Sequence, residues 1–218
     1  MDEMNIDSII AAMKYSPESF FKDITYTKDQ SETINCLIDQ IIMDEFSTTK
    51  EKGDSLERLI DHIFVTHKLF QVHKNIYTST NEIDLLLKLT LYGSNINRNL
   101  CNSLISGNII TECKNYKDPV GVTWVGKFAS LLDVSKLDLG LLIAKNGITG
   151  KHNWDAAKGL IRKISLKRGT IILDFKLSDF RDMEGKNIMN LIAAKIDYLN
   201  LDMKFELEPH PAEHIFKV

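Results

Sequence analysis

Apolar residues recur at helical spacing in the first part of the chain and then switch to alternation. Ile34, Leu37, Ile38, Ile41 and Ile42 fall at i, i+3, i+4, i+7 and i+8, the stripe of an amphipathic helix. The polar run Ser47-Thr48-Thr49-Lys50-Glu51-Lys52-Gly53 predicts a break, with a second helix from near Asp54 that places Leu56, Leu59, Ile60, Ile63 and Phe64 on one face. Residues 69–78 then alternate loosely. Residues 82–89 alternate clearly, with Ile83, Leu85, Leu87 and Leu89 on one side of a strand. Residues 92–106 read as a loop with a short helix around Asn99–Ile105, and 108–114 as a third strand. A helix over about 120–135 leads to a fourth strand, 139–145, apolar enough to be buried on both faces. A helix at 154–166, a strand at 170–174 and closing helices at 176–183 and 187–199 complete the pattern. Three strands with hairpin-like links, followed by a helical crossover into a fourth, predict an α/β fold with a mixed sheet flanked by helices. The expected organisation is an acidic helical N-terminal region, 1–52, and a second unit, 53–218.

Composition narrows the class. At 44% hydrophobic and 26% charged residues, the 218-residue chain has enough apolar side chains for a core. No apolar run approaches the roughly 18 residues needed to cross a bilayer. The acidic start Met1-Asp2-Glu3-Met4 lacks a basic-then-apolar leader, so a cytoplasmic chain is expected. Three unpatterned cysteines, Cys36, Cys101 and Cys113, fit a reduced compartment and exclude a disulfide scaffold or a cysteine-based zinc module.

The net charge of -3 hides an asymmetry. Residues 1–50 carry 10 acidic and 4 basic side chains, net -6, leaving 20 acidic and 23 basic over 51–218, net +3. Within 144–168, Lys145, Lys151, Lys158, Arg162, Lys163, Lys167 and Arg168 face Asp155 alone. Such a segment suits phosphate neutralisation with counterion release, and equally a solvated helix face. Its meaning depends on what chemistry lies beside it.

Charge also interrupts the apolar elements. On the third strand, period 2 places Ile110, Glu112 and Lys114 on one face and Ile109, Thr111 and Cys113 on the other. Glu112 and Lys114 therefore point the same way, roughly 7 Å apart by strand rise. Asp84 on the preceding strand converges with them if the two strands are neighbours. Two carboxylates with a nearby ammonium suit a hard divalent cation, which takes oxygen ligands and keeps several waters. A Glu–Lys pair is also a common and weak surface ion pair, but Asp84 on the same sheet face favours function. Glu57, at the margin of its helix stripe, has two readings. Asp54-Ser55-Leu56-Glu57 has capping-box spacing, and the carboxylate is also placed to lean toward the sheet and support a metal site.

Gly53-Asp54-Ser55-Leu56-Glu57-Arg58-Leu59-Ile60, Glu82-Ile83-Asp84-Leu85-Leu86 and Glu112-Cys113-Lys114-Asn115-Tyr116, taken in order, resemble the restriction-endonuclease-like PD-(D/E)xK superfamily. The closest likeness is to its Mrr-like branch, over about residues 53–180. Gly140-Leu141-Leu142-Ile143-Ala144-Lys145-Asn146-Gly147-Ile148-Thr149 is similar to that branch's fourth strand and following turn. Ile83 stands where the generic motif has proline, as in many Mrr-like members. The resemblance implies an αβββαβ core and hydrolysis of DNA phosphodiester bonds with Mg²⁺ or Mn²⁺. It implies Asp84 and Glu112 as metal ligands, Lys114 as the catalytic lysine and Glu57 as the auxiliary helix acid. Lys145, Lys151, Lys158 and Arg162 are then expected on DNA. A homodimer and a separate recognition subunit are expected as partners, with no membrane.

Other motifs fall away. Gly147-Ile148-Thr149-Gly150-Lys151-His152 fails the Walker spacing, and His152-Asn153 lacks the flanking histidines of an HNH nuclease. His210 and His214 are separated by Pro211 close to the last residue. Trp124 and Trp154 read as core or interface anchors. The leading expectation is a metal-dependent DNA endonuclease of Mrr-like restriction or defence type. The alternatives are a catalytically silent nuclease-fold subunit that binds DNA or assembles with a partner, and a structure-specific nuclease of the Holliday-junction type.

Overall fold

The apolar stripes of the N-terminal third do become helices. The computed structural model describes Ala11 and residues 15–77, 82–150 and 156–206. In chain order α1 is Pro17–Asp23, α2 Lys28–Met43 and α3 Thr49–Val65. Strands β1, Phe70–Tyr77, and β2, Glu82–Leu89, follow, then α4, Leu91–Leu100, and β3, Ile109–Lys114. Next come α5, Val122–Ser135, β4, Leu139–Ala144, α6, Ala156–Arg168, and β5, Ile171–Lys176. A single 3₁₀ turn, Leu177–Phe180, leads to α7, Ile188–Glu206.

Several boundaries differ from expectation; the helix expected over 176–183 is the last residue of β5 and a 3₁₀ turn, Leu177–Phe180. The polar run after residue 46 is the start of α3 rather than a linker. Thr48 Oγ1 accepts the Glu51 N–H at 3.1 Å, and the Glu51 carboxylate accepts the Thr48 N–H at 3.2 Å, a reciprocal cap. The helix therefore runs unbroken across the expected 52/53 boundary. The loop expected over 92–106 instead opens with α4, which Thr90 caps by accepting the Gly93 N–H at 2.9 Å. Gly93 is required there, because a Cβ would lie 2.0 Å from the Leu69 carbonyl oxygen.

The five strands are ordered β1-β2-β3-β4-β5, with β1, β2 and β3 antiparallel and β3, β4 and β5 parallel. On one face of the sheet, Ile34, Ile38 and Ile41 of α2 join Leu56, Leu59, Ile60 and Phe64 of α3 over Leu85, Leu87, Leu141 and Ile143. The N-terminal helices thus share the sheet's own core, and the buried Tyr26 hydroxyl ties them to α3 by donating to the Ile63 carbonyl at 2.7 Å. On the other face, Val125, Phe128 and Leu132 of α5 and Ile161 and Ile164 of α6 cover Ile110, Leu142 and Ile172. The close approach of α5 needs Gly140, where a Cβ would meet the Phe128 ring at 2.7 Å. No helix among the described residues is long and apolar enough to cross a membrane.

Candidate active site

A fork between β2 and β3 creates the site. The ladder between these strands pairs Leu87 with Ile109, Leu86 with Ile110 and Leu85 with Thr111, and ends there among the described residues. Strand β3 continues instead against β4, through Glu112–Leu142, Cys113–Ile143 and Lys114–Ala144. Parting strands would leave the Cys113 N–H without a ladder partner, an expensive state if buried. The Asp84 carboxylate takes it, accepting the Cys113 N–H at 2.7 Å. This charge-assisted bond fixes Asp84 in the mouth of the fork.

Strand β2 also changes face here. Ile83 and Leu85 are two apart, yet Ile83 packs with the α5–α6 core and Leu85 with the α3 core. Regular alternation, which predicted both on one side, is broken about Asp84. Opposite, Asn75 of β1 adopts a left-handed φ of 49° in mid-strand. A local kink in the β1–β2 ribbon thus accompanies the fork.

Lys114 stands between the two carboxylates. Its Nζ lies 3.5 Å from Asp84 Oδ2 and makes a close ion pair with Glu112 Oε1. The three side chains are 12, 18 and 13% exposed for Lys114, Asp84 and Glu112, so this is not the solvated surface pair that the sequence also allowed. Burial alone would lower the Lys114 pKa, but Glu112 and Asp84 outweigh it and hold the ammonium above its ordinary value. Burial, followed by repulsion from Asp84, pushes the Glu112 carboxyl up.

Glu57 reaches the same field from α3. Burial, then the charges of Asp84 and Asp54, push it up to about 7. Its capping role is excluded, because Thr48 and Glu51 form the cap and Glu57 lies in the third turn. Glu57, Asp84 and Glu112 therefore share the field of Lys114, and the cluster is short of positive charge. Burial and the same carboxylates push the Cys113 thiol well up, which keeps it protonated and turns it away from nucleophilic or metal chemistry. The remaining donors are carboxylate oxygens, the set a hard divalent ion takes. Among the described residues no group of three or more His, Cys, Asp or Glu side chains is placed to hold a metal ion, so the candidate ligands are the two carboxylates of Asp84 and Glu112.

Two neighbours escaped the sequence reading. Asn115, buried directly after Lys114, donates from Nδ2 to the Lys52 carbonyl at 2.7 Å and to Ser55 Oγ at 3.4 Å, latching the end of β3 to α3. Trp124, expected as a core or interface anchor, is half-exposed on the first turn of α5. Its ring carries Lys114 Nζ at 4.8 Å and Lys127 Nζ at 4.7 Å from the centroid.

A family model described as restriction endonuclease, the Mrr catalytic domain, matches residues 48–175, more than half of the chain. The chain belongs to the Mrr-type restriction endonuclease family. No curated protein and no solved structure matches it. The Mrr match begins at the Thr48 cap of α3 and ends within β5, so it takes in the whole fork and the αβββαβ order expected from sequence. Of the basic residues expected on DNA in this Mrr-type chain, Lys145, Lys158 and Arg162 stand in different settings. Lys145 donates to the Ile41 carbonyl at the end of α2, at 2.7 Å, and so braces the N-terminal helices. Arg162 is 7% exposed, Lys158 is exposed, and Lys151 lies outside the described residues.

Proposed function

We propose that the chain is a metal-dependent endodeoxyribonuclease that hydrolyses phosphodiester bonds in DNA, with Mg²⁺ or Mn²⁺ held by Asp84 and Glu112. A divalent ion held there would polarise the phosphoryl group and lower the pKa of a bound water. Lys114, kept protonated between two carboxylates, donates to charge developing on the phosphate oxygens and orients the attacking water. Glu57 supplies a third carboxylate from across the fork. Asp84 needs little reorganisation, because the Cys113 N–H already holds it in place. The observation that carries the reading is the Lys114 ammonium bridging Asp84 and Glu112 where the two strands part.

The test is supercoiled plasmid incubated with the purified chain and Mg²⁺ or Mn²⁺, beside Lys114→Ala and Asp84→Ala. Nicking or cutting by the wild type alone supports the reading. Equal activity in all three, or DNA binding without cleavage under either metal, overturns it. A chain with one such site needs a second copy to cut both strands, so a homodimer on DNA is also proposed. A monomeric mass by light scattering in a complex that still makes double-strand breaks would refute that part.

A further inference from the structure

The fork is not the only opening at this end of the sheet. A cavity of about 500 Å³ lies over the carboxyl ends of β4 and β5, beneath α6 and α7. Its volume falls within the roughly 300–1,000 Å³ of small-molecule sites, and the carboxyl ends of parallel strands are where α/β sheets bind ligands. Lys114 pairs in register with Ala144, and Ala144 with Lys176, which lines the cavity. Two strand spacings therefore separate the catalytic lysine from the cavity, about 10 Å. Period and register place Lys114 and Lys176 on the same sheet face.

The lining has three parts. Its apolar portion is Ile148, Ile161, Ile172, Leu173 and Leu199. Asp174 adds a half-buried carboxylate, and Tyr198 on α7, 65% exposed, stands at the mouth. Lys158 and Lys176 are exposed there as well. One further lysine is already committed. Lys195 pairs with Asp179 at 2.7 Å and covers the Phe175 ring at 4.9 Å, while the same Asp179 oxygen accepts the Lys176 N–H at 3.1 Å. That pair stiffens the wall and leaves Lys158 and Lys176 to meet an anion. Gly147, at φ 72° in the turn after β4, also lines the cavity, and a Cβ added there would lie 3.6 Å from Lys176 Cβ.

We propose that this cavity is a second binding site, for a nucleoside phosphate. The base stacks on Tyr198 over the apolar floor, Asp174 accepts from an exocyclic amino group, and Lys158 and Lys176 hold the phosphate. The ligand has two sources with the same chemistry: a nucleotide of the DNA strand lying beside the fork, or a free nucleotide. The first source rests on the nuclease reading and the second does not.

The experiment is calorimetric titration of the full chain with deoxyadenosine monophosphate and with an eight-residue oligo-deoxyadenylate, without divalent metal. Deoxyadenosine monophosphate has no internucleotide bond to cut and no metal is present, so failure of the nuclease reading leaves its binding result intact. Tyr198→Ala and Lys176→Ala, both at exposed positions and outside the core, are expected to weaken binding at least tenfold, whereas Lys136→Ala, at the C-terminal cap of α5 and outside the cavity lining, is not. Oligonucleotide binding at least tenfold tighter than the monophosphate assigns the site to the DNA strand, and the reverse order assigns it to a free nucleotide. Absence of saturable binding by either ligand up to millimolar concentration, or binding that both variants leave unchanged, would overturn the proposal.

Discussion

The fork at β2–β3 and the cavity at β4–β5 share one end and one face of the same sheet, yet they handle charge in opposite ways. At the fork, acid and amine are buried together, and Lys114 is committed to Asp84 and Glu112. At the cavity, Lys158 and Lys176 stand exposed at the rim above an apolar floor. Buried charges in fixed positions act strongly on a reacting bond because they need not reorganise. Exposed lysines are screened and mobile, which suits capture rather than chemistry. The difference arises from topology. Antiparallel β2 can leave β3 and open a polar gap, whereas parallel β4 and β5 stay paired to their ends and offer only a hollow beneath the crossing helices.

The comparison breaks first at the fork. Asp84→Ala or Lys114→Ala is expected to reduce plasmid cleavage by about 10²–10³-fold, in the range for loss of one preorganised charged group. The same variants should leave deoxyadenosine monophosphate binding at the cavity unchanged by calorimetry. Loss of both functions together would mean the two openings are one site. At the cavity, Tyr198→Ala is expected to raise the KM for DNA about tenfold with little change in kcat, if the strand is the ligand. A fall in kcat with constant KM would place Tyr198 in the chemistry instead.

Smaller effects separate support from chemistry. Asn115→Ala removes the latch from the end of β3 to Lys52 and Ser55 and is expected to cost about 1–2 kcal/mol in urea unfolding. Unchanged stability would mean the latch holds nothing. Glu57 gives the smallest signal, in pH dependence. Unfolded, it loses its proton near 4.5, and folded near about 7, so between these values the native state binds more protons. Stability without metal should therefore fall as pH rises through that window and level off above it. Glu57→Gln should flatten the slope between pH 5 and 8, and an unaltered slope would show that burial and Asp84 do not raise the Glu57 carboxyl.

Much of this was legible because it is local. The β2 span agrees at both ends with its alternation, and Glu112 and Lys114 share a face as period 2 requires. The start of α3 was not, because Thr48–Glu51 and Asp54–Glu57 both have capping spacing, and Gly53 resembled a break until the earlier box closed. Helix α4 was hidden by Gly93, Asn95 and Asn97, which are poor helix formers. Gly93 answers to the Leu69 carbonyl, and Asn97 is spent on both the N–H and the carbonyl of Ile105. The turn-over of β2 at Asp84 breaks the same alternation that located the strand. The cavity needs β5, α6 and α7 together, and no single stretch of sequence announces it.

The decisive measurement is anomalous scattering at the manganese edge from crystals of the wild-type chain soaked in Mn²⁺. The expected result is a peak between the carboxylates of Asp84 and Glu112 that disappears in Asp84→Ala crystals. A peak elsewhere, or no peak from protein that still cuts DNA in Mn²⁺, would contradict the assignment of the fork as the metal-dependent nuclease site.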